Sequence, residues 1–439
     1  MITQIEKRFI DMHPGSATRH QKASDIFPDG VTHESRRQHP FQLYYTHAEG
    51  SHKYDVDGNR IIDYWSGHGS LILGHSHPSV IEAVVNQMDK GTHLGGSTDL
   101  EMNWANHVID LIPCAEKVRF HSSGTEATMM AIRMARAYTG KSKIVKFQNH
   151  FHGWSDYLVA GNNGTGGIPQ QTLDTMIVLQ PNDIGIVESA LEKDADIAAI
   201  IIEPTGAHMG LEPVSPSFLS DLRSLTLEKE IVLIFDEVVT GFRVSKGGAQ
   251  EYYGITPDLT TLAKILGGGL PGGAVTGKSE IINMLETTDD PDHNKSRRIA
   301  HNGTFNANPI SAAAGITALG ILKSEPINER ATGMGTRLKK ELNGLLTKLE
   351  IPGCASGVSS LIHLRLGVDH TCDGEVCMAN SNTPSDINQN AQLNLALQNN
   401  GIHSGNRFIV SSQHSEQDID DTIIAMEKSL LEVRDQELI

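Results

Sequence analysis

Lys264 is the first residue of this chain whose type and setting could do chemistry. It lies in DLTTLAKILGGGLPGG, where a single lysine leads into a run of glycines. A partly desolvated lysine amine can condense with a carbonyl to form an imine, and glycines let the backbone approach a ligand closely. A lone lysine is usually a solvated surface charge, so Lys264 by itself identifies no site.

Asp236 and Glu237 form a second candidate group, at the end of the apolar run IVLIF. Active-site groups of open α/β sheets gather at the carboxyl ends of strands. A carboxylate placed there can pair with a protonated ring nitrogen of a ligand. A surface acidic pair that merely closes a strand explains these two residues equally well.

A third group is Ser122-Ser123-Gly124-Thr125, between the β-rich VRF and an Ala- and Met-rich stretch that ends at Gly140. A strand that enters a helix through Ser-Gly-Thr offers backbone N–H groups and hydroxyls at the positive end of the helix dipole. That arrangement predicts a phosphate site. The same residue types also cap ordinary helices.

The elements that must position these residues follow from the sequence pattern. HKYDVDGNRIIDY predicts a hairpin around a DG turn. Beyond it, β-rich runs alternate with helical stretches, which predicts a parallel sheet covered by helices. These runs are VRF near 118–120, KIVKF at 143–147, MIVLQ at 176–180, IAAIIIE at 197–203 and IVLIFDE at 231–237.

The pattern changes near residue 311 to longer helical stretches, followed by strand-like LIHLRLG and a last helix, QDIDDTIIAMEKSLLEVRDQ. A chain of 439 residues exceeds one ordinary core. We therefore expect an N-terminal segment (1–60) that packs with the small domain, a large domain (61–310) and a small α+β domain (311–439).

Composition narrows the function classes. The formal charge of -17 argues against a nucleic-acid partner, which needs clustered Lys and Arg. No stretch approaches the roughly 18 apolar residues of a membrane span. The charged start MITQIEKRFIDMH lacks a signal peptide's apolar run, so we expect a cytoplasmic protein. The four cysteines are too sparse for zinc, which predicts free thiols and no metal site.

Taken in order, these motifs resemble those of class III aminotransferases. The order is SSGTEA, FHG, EP, DEV, a lysine 28 residues after Asp236, then HNGTF and NP. The resemblance covers roughly residues 47–315, and FRVSKGGAQEYYGITPDLTTLAKILGGGLP is most similar to the glutamate-1-semialdehyde aminomutase subgroup. It implies fold type I, with a mostly parallel seven-stranded sheet covered by helices and a smaller α+β domain, and pyridoxal 5′-phosphate (PLP) as cofactor.

The resemblance also implies roles around the cofactor ring. Lys264 would carry the cofactor as a Schiff base and shuttle protons, and Asp236 would pair with the pyridine nitrogen. Val238 would pack against one ring face. Phe151 stands where most relatives place the tyrosine of a YHG motif, so stacking is kept without the hydroxyl. Glu203 would join the hydrogen bonds near the phenolic oxygen, although a structural glutamate at a strand end is the alternative.

The same resemblance implies a shared phosphate site and a homodimer. Ser123, Gly124 and Thr125 would hold the phosphate within one chain. Gly303 and Thr304 would reach the same phosphate from the neighbouring subunit, because the family builds its sites at a dimer interface.

Five residues are candidates for binding a small anionic amine. Arg36, in GVTHESRR, matches an arginine that receives a substrate carboxylate, and Arg37 is adjacent. Two consecutive arginines could equally be solvated or paired. His68 replaces a tryptophan of the mutase pocket, and His208 replaces an asparagine near the cofactor. Arg407 matches a carboxylate-binding position of some β-amino-acid aminotransferases.

These pocket residues favour an ammonia-lyase. The segment between FHG and EP is shorter than the mobile loop of the aminomutases, which argues against mutase activity. GHGSLILGH, NHFHGW and THESRR are more similar to a branch that converts (R)-1-hydroxy-2-aminoethylphosphonate to phosphonoacetaldehyde and ammonia. A class III aminotransferase is the alternative, and an aminomutase ranks third. A fold relative without catalysis is disfavoured because Lys264, Asp236 and the phosphate motif are all present.

Overall fold

A computed structural model describes residues 2–162, 164–368 and 387–439. Its strands are β1 Tyr45–Glu49, β2 His52–Asp55, β3 Arg60–Asp63, β4 Lys117–His121, β5 Lys143–Phe147, β6 Met176–Leu179, β7 Ile197–Ile202, β8 Glu212–Pro213, β9 Val232–Asp236, β10 Leu259–Ala263, β11 Gly273–Gly277, β12 Gly353–Ser356, β13 Leu361–Leu366, β14 Ile402–His403 and β15 Arg407–Ile409.

The helices are α1 Gln4–Met12, α2 Pro14–Ser24, α3 Pro78–Met88, α4 Asp99–Leu111, α5 Gly124–Thr139, α6 Gln170–Leu173, α7 Ile184–Lys193, α8 Pro216–Glu228, α9 Gly248–Tyr253, α10 Ser279–Ile282, α11 Pro309–Ser324, α12 Ile327–Leu349, α13 Ile387–Asn399 and α14 Glu416–Arg434. Short 3₁₀ or π turns cover Pro28–Gly30, Glu34–Arg36, Lys264–Gly267, Asn283–Leu285 and His293–Arg297. Ser66–Gly69 and Ala207–Gly210 contain left-handed residues and are turns.

The chain divides into two compact units. Unit 1 comprises residues 1–68, 72–77 and 329–439, and unit 2 comprises residues 69–71 and 78–328. Residues 311–328 thus group with unit 2, and residues 61–68 and 72–77 with unit 1. The domain bounds expected from the sequence, at 60/61 and 310/311, remain predictions.

Unit 2 is built on a seven-stranded sheet with the order β4-β11-β10-β9-β7-β5-β6. The neighbours from β10 to β6 run parallel, whereas β11 is antiparallel to both β10 and β4. All five strands expected from the β-rich runs are present. The predicted fold class, a mostly parallel seven-stranded sheet with helices, is confirmed.

Both faces of this sheet are buried, because side chains alternate along each strand. Ile144 of β5 and Ile201 of β7 belong to one apolar cluster, together with Ala127 of α5. Val145 and Ile200, the neighbouring residues, belong to the cluster on the other face. Burial of both faces explains why the strands read as continuous apolar runs.

Unit 1 contains two smaller sheets around one core. The first has the order β1-β2-β3-β14 and includes the predicted hairpin of β2 and β3, and the second has the order β12-β13-β15. Their apolar faces pack with helices from both ends of the chain, for example Phe9 of α1 and Met426 of α14. Thr3 Oγ1 also donates to Gln392 Oε1 across this core, at 2.9 Å.

Three details differ from the sequence expectations or lie beyond them. Strand β10 occupies the stretch directly before Lys264, which was not among the β-rich runs that predicted strands. Cys114 is a free buried thiol, as predicted, but Cys354 is disulfide-bonded, so that prediction is wrong there. Cys372 and Cys377 lie outside the described residues.

In the part of the chain that is described, no helix is long and apolar enough to cross a membrane.

Candidate functional site

Lys264 is placed directly after β10, as the first residue of the 3₁₀ turn Lys264–Gly267. Its φ of 52° is left-handed, a costly conformation for a residue with a side chain, and such strain concentrates at functional sites. Burial lowers the pKa of its amine, and the carboxylates of Asp236 and Glu203 oppose that shift. The three side chains are therefore close enough to influence one another's charge.

Asp236 is the last residue of β9 and is buried. Its Oδ1 accepts hydrogen bonds from the Val238 amide at 3.1 Å and from Thr261 Oγ1 at 3.2 Å. Its Oδ2 lies 2.7 Å from Nδ1 of His152, which is also buried. These three partners hold the carboxylate in one orientation. Adjacent Glu237 accepts instead from Thr240, Ala249 and Gln250, so it holds a loop and takes no part in the site.

Glu203 follows β7 and accepts a hydrogen bond from the Phe151 amide at 2.7 Å. Burial, together with the negative charge of Asp236, raises the pKa of Glu203 to about 8. The Glu203 amide donates to His150 Nδ1 at 3.0 Å, which ties the strand end to the FHG loop. At neutral pH, Glu203 is thus a protonated acid that can donate a hydrogen bond.

Helix α5 begins where the phosphate motif predicts. Ser123 is its N-cap and accepts from the Glu126 amide at 3.2 Å. A Cβ on Gly124 would lie 3.0 Å from Cγ1 of Val238, so the Val238 side chain packs against this helix start. A Cβ on Gly153 would lie 2.5 Å from Thr125 Oγ1. Two glycines therefore permit the close packing of three segments around the first turn of α5.

These residues of unit 2 fit pyridoxal 5′-phosphate. The first-turn amides of α5 have no acceptor within their helix, which suits a phosphate. Asp236 is an oriented carboxylate that suits a protonated ring nitrogen. Phe151 exposes 59% of its surface, so its ring is free to cover a ligand. The half-buried Lys264 amine supplies the nucleophile that an aldehyde requires.

Gly303 and Thr304 are exposed and line a surface hollow of about 670 Å³ in unit 2. Arg119 and His301 line the same hollow. None of the other predicted cofactor-binding residues lines this hollow. The role of Gly303 and Thr304 at the phosphate site of a neighbouring subunit stays a prediction.

Four of the five predicted substrate residues line one cavity of unit 1, with a volume of about 1350 Å³: Arg36, Arg37, His68 and Arg407. Arg36 donates to Thr32 Oγ1 at 3.2 Å. Arg37 is exposed and lies 3.5 Å from the Asp29 carboxylate, so its surroundings match the solvated or paired alternative. Arg407 begins β15 and is half-buried.

The turn that carries His68 is conformationally strained. Ser66, Gly67 and His68 have φ values of 47°, 59° and 57°, three left-handed residues in a row. Asp63 stabilises this turn by accepting from the Trp65 amide at 2.9 Å and the Ser66 amide at 3.2 Å. Nε1 of Trp65 donates to His68 Nδ1 at 3.0 Å, so the proton of the neutral imidazole lies on Nε2.

His208, the fifth predicted substrate residue, belongs to unit 2. It is half-buried in the turn Ala207–Gly210, with a φ of 54°. Burial is the main cause that lowers the pKa of His150, and His208 acts in the same direction, as the smallest of the causes. His208 is therefore grouped with the Glu203 end of the cofactor site.

The sequence reasoning missed two groups. His152 stands in the FHG motif, but nothing in one sequence pairs it with Asp236, 84 residues further on. Lys53, on β2, contacts Asp63 and lines the unit 1 cavity. A lysine inside a predicted hairpin was the available signal, because a strand that faces a core rarely holds an unpaired charge.

Comparisons with known proteins agree with this geometry. Residues 33–364 match the family described as aminotransferase class-III. Over 436 residues the chain is 38% identical to a Methanopyrus kandleri protein named glutamate-1-semialdehyde 2,1-aminomutase, with 96% of this chain and 98% of that protein covered.

Solved structures give the same picture. An omega-transaminase from Sphaerobacter thermophilus has 32% identity and a TM-score of 0.89, and the match covers 97% of this chain and 99% of that one. A transaminase with PLP bound has 29% identity and a TM-score of 0.87, with coverages of 96% and 98%.

These relatives correct one expectation. Curated relatives of 36% to 41% identity over most of the chain carry the aminomutase name. The ammonia-lyase interpretation is therefore wrong, and the aminomutase interpretation, ranked third, is the one they favour. The error has a physical cause: basic residues in a pocket indicate the charge of a ligand, and neither they nor a loop length determine which bond breaks.

Proposed function

The chain belongs to the class III aminotransferase family, and from that premise we propose that it is an aminomutase acting on a small anionic substrate. PLP is its cofactor. The enzyme would move an amino group from carbon 2 to carbon 1 of the substrate. The similarity of nearly the whole chain to the M. kandleri aminomutase carries this proposal.

Residues of unit 2 are assigned the chemistry. Bound PLP supplies an electron-withdrawing ring that lets a C–H bond beside the amino nitrogen ionise. Nζ of Lys264 binds the cofactor and moves the proton, since burial favours its neutral, basic form. Asp236 keeps a proton on the ring nitrogen, and its partners His152 and Thr261 hold the carboxylate in place.

The remaining cofactor contacts are assigned by their chemistry. Protonated Glu203 would donate a hydrogen bond to the phenolic oxygen. Ser123, Gly124 and Thr125 would hold the phosphate at the start of α5, and Val238 and Phe151 would pack against the ring.

The substrate's anionic group is assigned to the cationic cavity of unit 1. Arg36 and Arg407 supply charge there, and His68 supplies an N–H donor. Arg37, exposed and near Asp29, contributes less. His208 of unit 2 is assigned to the substrate's polar groups near Glu203.

A homodimer with shared sites completes the proposal. Several large apolar side chains of unit 2 are exposed around the Gly303–Thr304 segment, including Phe305 at 59% and Met102 at 60%. Exposed apolar surface of this kind marks an interaction site. A second copy that covers it would bring Gly303 and Thr304 to the partner's phosphate site.

The test is an isomerisation without a second substrate. Moving the amino group reduces carbon 1 and oxidises carbon 2 of the same molecule, so product and substrate are isomers and no donor or acceptor is consumed. Purified holoenzyme given glutamate-1-semialdehyde should release the 1-amino isomer with no added amino acid or keto acid. Borohydride should fix the cofactor on Lys264, and Lys264→Ala should remove both the visible band and the activity.

Transamination is the second candidate, and the similarity to the S. thermophilus omega-transaminase favours it. It would consume an amine and a keto acid in equal amounts. The aminomutase proposal would be wrong, and transamination favoured, if the enzyme released no isomer but transferred an amino group from an amine to pyruvate or 2-oxoglutarate.

A further inference from the structure

We propose that Lys53 is the buried anion-binding residue of the unit 1 cavity, and that it receives a carboxylate of the ligand directly. The inference rests on the proposed function only in taking that ligand to be the enzyme's substrate. Lys53 lies on β2, lines the cavity and is 9% exposed. Its amine is therefore fixed within the wall, in contrast to the exposed Arg36 and Arg37.

The hydrogen bonds of Lys53 leave room for a ligand. An ammonium group has three N–H donors. Lys53 Nζ donates to Asp63 Oδ1 at 3.0 Å and to Nδ1 of His403 at 2.5 Å. Tyr45 presents its ring 4.2 Å from the nitrogen. Among the residues that the structure describes, no oxygen or nitrogen atom accepts the third N–H.

Asp63 does not cancel the charge that Lys53 presents to a ligand, because other donors share the carboxylate. Its Oδ2 lies 2.7 Å from His75 Nε2 and accepts from the Ser66 amide, and its Oδ1 accepts from the Trp65 amide. Burial acts to raise the pKa of Asp63, but Lys53 and the two histidines outweigh it and hold the pKa well below its usual range. Asp63 therefore stays ionised, and its carboxylate is shared by Lys53, His75 and the two amides.

The cavity as a whole attracts anions although the chain carries a formal charge of -17. Its described lining includes Lys53, Arg36, Arg37 and Arg407 as cations. The lining carboxylates are Asp63 and Glu6, and Glu6 is held by the Thr3 amide at 3.0 Å and Gln392 Nε2 at 2.8 Å. Cations outnumber carboxylates by two in this lining, which favours an anionic ligand.

A purely structural role is the competing explanation: Lys53 would serve only to neutralise Asp63. Two variants separate the roles. Lys53→Met removes both a direct contact with the ligand and the cation that neutralises Asp63. A loss of anion binding in this variant therefore does not separate the two roles. In Lys53→Met with Asp63→Asn the buried charge is removed as well, so recovery of glutarate binding would show that Lys53 serves only to neutralise Asp63.

The experiment measures binding of glutarate to cofactor-loaded protein by ligand-detected NMR, with uncharged glutaramide as the matched probe. Wild-type protein, Lys53→Arg and the control Lys7→Met, an exposed lysine of unit 1, should bind glutarate alike and in preference to glutaramide. Lys53→Met and the double variant should each bind glutarate at least about tenfold more weakly, as expected when one partner of a buried charge contact is removed.

Two results would overturn the inference: recovery of glutarate binding in the double variant, or equal binding of glutarate and glutaramide to wild-type protein. The inference would also fail if Arg36→Met lost glutarate binding while Lys53→Met bound glutarate as the wild type does. Arg36 would then be the residue that receives the carboxylate. The glutarate measurement involves no turnover, so its outcome is independent of the isomerisation assay. Either experiment can fail without changing the result of the other.

Discussion

At the scale of single residues, Glu203 belongs to the candidate cofactor site and also makes the stability of the folded protein depend on pH. Its pKa is about 8 in the folded protein and 4.5 in the ordinary carboxyl group. Between pH 4.5 and pH 8 the Glu203 carboxyl group is ionised in the unfolded chain but protonated in the folded protein. The free energy of unfolding therefore falls as pH rises, by about 1.4 kcal/mol per pH unit. Glu203→Gln removes that loss and should stabilise the cofactor-free protein more at pH 7.5 than at pH 5.

Urea unfolding of both proteins at the two pH values measures this effect. Glu228→Gln is the control, because the Glu228 side chain is 69% exposed and its replacement should shift stability little at either pH. An equal gain from Glu203→Gln at pH 5 and pH 7.5 would show that Glu203 is ionised in the folded state.

His152 is a second residue whose role can be measured, because it contacts Asp236 at 2.7 Å. His152→Phe keeps a planar aromatic ring and removes the donor, so that one oxygen of the Asp236 carboxylate loses its partner. The loss of a hydrogen bond to a buried charged group costs about 1.5–3 kcal/mol, so PLP affinity should fall at least about tenfold.

Equilibrium titration of the visible PLP band measures that affinity. In His107→Phe, a half-buried histidine of α4 is replaced, and the affinity should stay within about twofold of the wild-type value. Equal affinities of His152→Phe and wild type would remove His152 from the cofactor site.

At the scale of elements, the start of α5 depends on the close approach of the FHG loop. Gly153 has a φ of 90°, and a Cβ there would lie 2.5 Å from Thr125 Oγ1. Gly153→Ala should therefore push the loop from the helix, lower stability by about 2–4 kcal/mol and weaken PLP binding.

Gly140 provides the matched control, because it caps the other end of α5 with a φ of 70° and has open space around its missing Cβ. Gly140→Ala should cost only about 1 kcal/mol for the left-handed backbone and leave PLP affinity unchanged. Equal effects of the two substitutions on thermal unfolding and PLP titration would show that the contact with Thr125 is unimportant.

Elements with continuous apolar runs were predictable from the sequence, and those shaped by tertiary packing were not. Strands β5, β7 and β9 are buried on both faces, so their residues carry a strong apolar signal. Strand β10 contains two threonines and precedes a glycine run, which weakened its signal. The motifs correctly placed Asp236 at the end of a strand and Ser123 at the start of a helix, because both lie at element ends with a fixed local geometry.

The partners of these residues were not predictable, because they come from distant parts of the chain. The contact between His152 and Asp236 spans 84 residues, and that between Lys53 and His403 spans 350. A single sequence records which residues are present, whereas such contacts depend on the sheet order. The reaction itself was mispredicted for a related reason: the pocket's charges describe ligand binding and leave the fate of the amino group open.

At the scale of the whole molecule, the expected dimer should determine whether the cofactor is retained. Phe305, 59% exposed and edge-on to His93 at 5.6 Å, lies directly after Gly303 and Thr304. A charge introduced there would have to be buried without a partner in the dimer, which is strongly unfavourable. Phe305→Glu should therefore shift a species of two 47.7 kDa chains toward the single chain.

Sedimentation velocity and the visible PLP band, recorded on the same samples, test this expectation. If Gly303 and Thr304 complete the partner's phosphate site, the monomeric fraction of Phe305→Glu should lose PLP in proportion. Ile26→Glu is the control, since Ile26 is 70% exposed but belongs to unit 1, away from the Gly303–Thr304 segment in sequence. A monomer that keeps PLP with wild-type affinity would show that each chain binds its cofactor alone, and a dimeric Phe305→Glu would place the interface elsewhere.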